Sequence, residues 1–191
     1  MQKCLGIVLA GGLSSRMGSD KSQLMRQQQK MLDFSAQRLK DAGVDEVVIS
    51  SNKYGVVDIH KNMGPLSGVH SVLQQSNCSS VIVLPVDLPL ISVDAIKKLR
   101  HIGQLTEKAC FYEGHSIPLY LPVNSYTELF FSNAFSDFSG KGPSVKSLLK
   151  QIPHQSIPLA DKRILMNTNT PQEWQQAQAI LSTSFNKPLH Y

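Results

Sequence analysis

A short apolar run, Cys4–Ala10, ends abruptly at paired glycines, Gly11 and Gly12. Aliphatic and β-branched residues without polar alternation describe a strand buried on both faces, as in a parallel sheet covered by helices. Glycine at the end of such a strand lets the backbone turn and lets a ligand approach the main chain closely. Successive N–H groups in the turn can cradle phosphate oxygens. Arg16 and Lys21 follow, the first a planar fork for phosphate, the second a mobile point charge. The spacing is not that of a P-loop, which places lysine directly after its last glycine, nor of the G-x-G-x-x-G dinucleotide fingerprint. What the stretch predicts is a polyphosphate site at the end of a parallel strand.

The later segments extend that frame. Met31–Leu39 has apolar residues at helical spacing and stops at Gly43, and Val47–Ile49 reads as a second buried strand. Strand, helix and strand imply a right-handed crossover on a parallel sheet. Gln23–Lys30 is polar and reads as an irregular arm, and Val56–Ile59 as a short third strand. Gly64-Pro65-Leu66-Ser67-Gly68 leads into a helix over Val69–Gln75 whose N-terminus can face an anion or a base edge. Gly and Pro would favour a tight turn there in any case.

Ser80–Asp87 is the strongest strand signal, an apolar run that ends in a carboxylate before Pro89. Ligands of open α/β sheets sit outside the carboxyl ends of strands, so Asp87 is expected across a crevice from Gly11 and Gly12. A carboxylate aimed at a phosphate site makes electrostatic sense only with a cation between them, and Mg²⁺ held by one or two carboxylates and by substrate phosphates meets that need. Further helices are expected over Ser92–Gly103, Val123–Phe135 and Pro143–Gln151, and strands at Ala109–Tyr112 and Ile117–Leu121 with a turn at Gly114-His115. The aromatic face of Tyr126, Phe130 and Phe131 reads as core packing. Arg163–Met166 reads as the last strand, followed by Asn167-Thr168-Asn169-Thr170-Pro171, in which Thr170 caps and Pro171 opens a terminal helix. Capping leaves Asn167 and Asn169 unexplained; an asparagine carbonyl can ligate a metal or meet a substrate amide edge.

Composition narrows the class. The chain has 191 residues, 41% of them hydrophobic and 17% charged, with a net charge of +5. These values suit one folded domain with a sizeable core and an anionic partner. Residues 1–182 are read as that domain and 183–191 as a polar tail. The basic residues are dispersed rather than gathered in a stripe interleaved with aromatics, which weighs against nucleic acid. Three separated cysteines and no C-x-x-C pair suit a reducing compartment. No apolar run approaches the ~20 residues of a membrane span, and the protein is expected in the cytoplasm.

The pattern Leu9-Ala10-Gly11-Gly12-x-Ser14-x-Arg16-Met17-Gly18-x-Asp20-Lys21 resembles the signature of the molybdenum cofactor guanylyltransferases, the MobA family of nucleotidyltransferases. Gly64–Gly68, Leu84-Pro85-Val86-Asp87-Leu88-Pro89 and Asn167–Pro171 resemble further family segments in the same order, over about residues 3–180. The resemblance implies a Rossmann-like three-layer α/β sandwich with a mostly parallel central sheet. It implies transfer of GMP from GTP to the terminal phosphate of molybdopterin with release of pyrophosphate. Lys21, Asp87 and Arg16 would be catalytic, with Asp87 on Mg²⁺. Leu9, Ala10, Gly11, Gly12, Lys21, Gly64, Pro65, Leu66 and Asp87 would bind the nucleotide, and Asn167 and Asn169 would face molybdopterin. Partners would be GTP, molybdopterin and, transiently, other molybdenum cofactor proteins, with neither nucleic acid nor membrane. Ala10-Gly11-Gly12 points to guanine, since the related cytidylyltransferases typically show L-A-A-G. The chain departs from its relatives in lacking an acidic residue in His60–Met63, and in having Ser50 for an asparagine, Pro143 for an arginine and Met31 for a proline. A nucleotidyltransferase for CTP or a sugar phosphate, and a non-catalytic nucleotide-binding relative, remain the alternatives.

Overall fold

The structure is a computed structural model that describes residues 3–11, 20–135 and 142–185. Its frame is a six-stranded sheet in the order β4-β1-β5-β7-β6-β8: β1 is Cys4–Leu9, β4 Glu46–Ser50, β5 Ser80–Pro85, β6 Ala109–Tyr112, β7 Leu119–Pro122 and β8 His154–Ile157. β1 lies between β4 and β5, parallel to both. β7 runs antiparallel to β5 and β6, and β8 runs parallel to β6.

Side chains alternate across this sheet and so define two cores. Cys4, Val8, Ile82, Leu84, Cys110, Tyr112 and Tyr120 pack on one face with residues of α1 (Met31–Asp41) and α3 (Val93–Thr106). Leu5, Ile7, Val81, Val83, Leu119 and Leu121 pack on the other with α2 (Pro65–Leu73), α4 (Ser125–Ala134) and α5 (Val145–Leu149). The expected three-layer α/β architecture, helices on both sides of a mostly parallel sheet, is therefore the one observed. Gly6 lets α1 lie close, since a Cβ there would stand 3.0 Å from Leu39 Cδ1. In α3, Gly103 sits in mid-helix because a Cβ would overlap the Tyr120 ring. Helix caps follow the sequence: Ser92 accepts from Ala95 N, and Ser144 forms a capping box with Ser147.

Several elements differ from expectation. Val56–Ile59 is no strand: Val56 makes one isolated bridge to Ser50, and Val57 and Ile59 are exposed. Arg163–Met166 is no strand either. Lys162–Leu165 forms a single 3-10 turn, begun by the Asp161 carboxylate accepting from Arg163 N. The strand next to β6 is instead β8, whose sequence His154-Gln155-Ser156-Ile157 is polar because it lies at the sheet edge with its first three residues exposed. The Gln23–Lys30 arm contains a small antiparallel ribbon of β2 (Met25–Arg26) and β3 (Gln29–Lys30). α2 starts at Pro65, four residues before the expected Val69. Tyr126 is exposed, whereas Phe130 and Phe131 are buried. The last helix, α6 (Pro171–Phe185), continues past Leu181. No helix among the described residues is long and apolar enough to cross a membrane.

Candidate active site

The parallel strands β4, β1 and β5 end on the same sheet edge, and the segments that leave them meet there. Ala10 N donates to Ser50 O and Val86 N to Leu9 O, which locks the three exits side by side. A cleft of about 200 Å³ opens between them, lined by Leu9, Ala10, Gly11, Asp20, Lys21, Ser22, Pro65, Pro85, Val86, Asp87 and Ile117. A second lobe of about 430 Å³ shares Leu9, Gly11 and Pro65 with it and adds Ser50, Asn52, Asp58, Asn62, Gly64 and Gly68.

Lys21 and Asp87 meet in the first lobe. The Lys21 ammonium donates to Asp87 Oδ2 at 3.1 Å and to Asn169 Oδ1 at 2.5 Å. The side chains of the Lys21–Asp87 pair are only 18% and 19% exposed, so water screens them weakly. Each member is fixed by its surroundings. Lys21 opens a single 3-10 turn whose cap, Asp20, accepts from the Ser22 main chain and hydroxyl. Asp20 also takes Lys53 Nζ and the Tyr54 hydroxyl, both at 3.3 Å. The Ser22 hydroxyl bond, more than the lysine, holds the Asp20 carboxyl below its usual range. The Asp87 carbonyl accepts from Thr168 N at 3.0 Å and Thr168 Oγ1 at 3.2 Å, tying the Asn167–Thr170 segment to the β5 exit. Glu173 accepts from Asn169 N and Thr170 N, and Thr170 Oγ1 accepts from Glu173 N: a capping box on α6 that also presents Asn169.

In the second lobe, Gly64 precedes α2 with φ +80°, and Pro65 takes the first helical position. Ser50 Oγ donates to Asp58 Oδ1 at 3.2 Å. Gly68 accommodates that pair, since a Cβ at Gly68 would collide with Ser50 Oγ and stand 3.2 Å from Asp58 Oδ1. Burial raises the Asp58 carboxyl above its usual range, and the Ser50 hydroxyl pulls weakly the other way.

Of the residues singled out in the sequence, Leu9, Ala10, Gly11, Lys21, Gly64, Pro65 and Asp87 line the two lobes, and Asn169 reaches the first through Lys21. Leu66 does not line them. Its side chain is fully buried against the sheet, so only its main chain is available to a ligand. Asn167 is exposed and outside the lining. Gly12 and Arg16 lie outside the described residues. Asp58 was missed. Its signal was an acidic residue six positions before Gly64, hidden within a run read as a strand. No acidic residue stands in His60–Met63, but Asp58, slightly earlier in the chain, lines this lobe. Asn52 joins it in the same lobe.

The described lining carries Asp20, Asp58 and Asp87 against Lys21. Among the described residues no three His, Cys, Asp or Glu side chains gather as a metal centre. Asp87 and Asn169 nevertheless aim two oxygens at one cationic point, a partial all-oxygen set that fits a hard divalent ion completed by substrate phosphates. Among the described residues no histidine or cysteine lines either lobe. Burial raises all three thiols, so none is an activated nucleophile.

The mostly parallel α/β sheet with helices on both faces is a fold shared with solved nucleotidyltransferases. Residues 6–154 match the MobA-like NTP transferase domain, and the chain belongs to that family. It is 30% identical over 179 residues to the molybdenum cofactor guanylyltransferase of Xanthomonas euvesicatoria pv. vesicatoria, covering 88% of this chain and 91% of that one. Its fold superposes on the molybdopterin-guanine dinucleotide biosynthesis protein A of Archaeoglobus fulgidus with a TM-score of 0.68 at 19% identity, over 94% of this chain and 99% of that one. A Mycobacterium tuberculosis H37Rv protein crystallised with manganese has a TM-score of 0.60 at 15% identity, over 93% of this chain and 98% of its own. The chain is thus a nucleotidyltransferase of molybdenum cofactor biosynthesis.

Proposed function

We propose that the protein transfers GMP from GTP to the terminal phosphate of molybdopterin, releasing pyrophosphate and forming the guanine dinucleotide of the molybdenum cofactor. The observation that carries this reading is the meeting of Lys21, Asp87 and Asn169 at one end of a two-lobed cleft whose other end holds Asp58. A phosphate oxygen of the acceptor attacks the α-phosphorus, and the bond to the bridging oxygen of the β-phosphate breaks. The acceptor phosphate is already ionised near neutral pH, so no general base is needed. This agrees with a lining that, among the described residues, holds no histidine or cysteine. What the reaction requires is alignment and neutralised charge.

Each residue then has a task. Main-chain groups of Leu9–Gly11 receive the triphosphate, together with Gly12 and Arg16, and Lys21 balances its charge. Asp87 holds a divalent ion, Mg²⁺ in this reading, which would screen the phosphates and draw electrons from the phosphorus. Manganese in the Mycobacterium tuberculosis relative supports a divalent ion of this kind. The Asp58 carboxylate suits guanine, whose N1–H and N2 amino group offer two donors side by side. Cytosine offers only its N4 amino donor on that edge, next to the N3 and O2 acceptors that a carboxylate would repel. The acceptor would come from the side of Asn169, with Asn167 at the rim.

Pyrophosphate release with molybdopterin, Mg²⁺ and either GTP or CTP tests the proposal. GTP should turn over at least about tenfold faster than CTP, the difference of one buried polar contact. Preference for CTP would reassign the base, and release with neither nucleotide would overturn the catalytic reading.

A further inference from the structure

The Lys21 ammonium has two oxygen partners that come from distant parts of the chain, Asp87 Oδ2 and Asn169 Oδ1. Both partners stand on braced backbone. Thr168 bonds the Asp87 carbonyl through its main chain and its hydroxyl, and Glu173 grips the N–H groups of Asn169 and Thr170. Lys21 is the adjustable member, a point charge on a flexible four-carbon stem. The same two oxygens are the hard donors that a divalent ion takes. One point between them cannot hold an ammonium and a divalent ion together, because like charges at such separations repel strongly.

We propose that Lys21 is a placeholder for the divalent ion. Before nucleotide binds, its ammonium sits on Asp87 and Asn169. An arriving triphosphate draws Lys21 onto its own oxygens, and the two side chains pass to the metal. Asn169 is thereby a second metal ligand of this chain. Metal and nucleotide load together, and the bare ion is held weakly. The inference rests on the reading of the cleft as a nucleotide and metal site, and deepens it.

Mn²⁺ binding without nucleotide, followed by the electron paramagnetic resonance of the free ion, separates the possibilities. Lys21→Met should bind Mn²⁺ about tenfold more tightly than the unaltered protein, whereas Lys53→Met, which removes a charge from the rim, should change affinity less than about twofold. The gain in Lys21→Met should vanish in Lys21→Met/Asn169→Ala. A non-hydrolysable GTP analogue should tighten Mn²⁺ binding markedly in the unaltered protein and much less in Lys21→Met, a comparison that needs no second folded variant. No gain in Lys21→Met, or an equal gain in Lys53→Met, would overturn the placeholder. A gain that persists without Asn169 would remove that residue as a ligand and overturn the proposal as stated. An Asp87→Asn protein that binds Mn²⁺ with the analogue as well as the unaltered chain would instead break the underlying metal site.

Discussion

The two halves of the sheet are packed alike and equipped differently. In the parallel half, β4, β1 and β5 all end on one edge, and each exit supplies cleft residues: Ser50 and Asn52, Leu9–Gly11, and Pro85–Asp87. In the mixed half, β7 and β6 bury side chains as fully, with Leu119, Leu121 and Tyr112 almost inaccessible, and only the edge strand β8 is open to solvent. Yet among the described residues only Ile117 of that half reaches the lining. β7 runs opposite to β5, so its end faces the other edge. β6 and β8 run parallel to β5 but lie beyond β7, so strand order together with direction, more than burial, decides where chemistry can gather.

Substitutions in the two halves should therefore fail in different ways. Asp87→Asn should lower turnover about a thousandfold or more, the several kcal/mol that a metal contributes to the transition state. Its thermal midpoint should stay unchanged; a fall in stability to match the lost rate would erase the distinction. Asp58→Asn should raise the KM for GTP about ten- to a hundredfold with kcat nearly kept, since a hydrogen bond to a charged group contributes about 1.5–3 kcal/mol. Because burial raises the Asp58 pKa, guanine binding should begin to weaken on acidification above the usual carboxylate range, and the asparagine variant should lose that pH limb. Titration of GTP affinity against pH in both proteins checks this.

In the mixed half, Gly103→Ala should cost about 1–3 kcal/mol of stability by driving a methyl group into Tyr120. The affinity for GTP should not move, as calorimetry on the folded variant would report. The smallest effect is expected at the join between the halves, where His70 of α2 stacks on Phe131 and Phe135 with ring centroids 5.0 and 5.1 Å away. Burial, and secondarily His60, lowers the His70 pKa from its ordinary 6.5. Its folded form thus prefers neutrality. The stability it contributes is complete above that ordinary value and is lost as pH falls through the lowered one. Denaturation midpoints should drop below about pH 6.5 in the unaltered protein and less in His70→Phe.

The parallel half was legible because its strands are continuous apolar runs that end at Gly11 or Asp87, residues with an evident electrostatic task. The sheet edge was not. β8 is polar because solvent covers it, so its sequence carries no strand period, whereas Arg163–Met166 mimics one and is turned by the Asp161 cap. Tyr126 shares a helix with two core phenylalanines yet faces out. Asp58 escaped notice for a related reason. Val56, Val57 and Ile59 around it imitate a strand, but the chain bridges Ser50 only at Val56 and then passes over the cleft. Asp87, Lys21 and Asn169 could be marked as chemistry in the sequence, but their convergence depends on the Thr168–Asp87 contact between distant segments.

The most direct measurement is a crystal structure with a non-hydrolysable GTP analogue and Mn²⁺, collected for the anomalous signal of manganese. The ion should lie against Asp87 and the triphosphate beside Gly11, with the guanine edge on Asp58. Manganese remote from Asp87, or a nucleotide seated away from the ends of β1 and β5, would contradict the assignment of this crevice as the active centre.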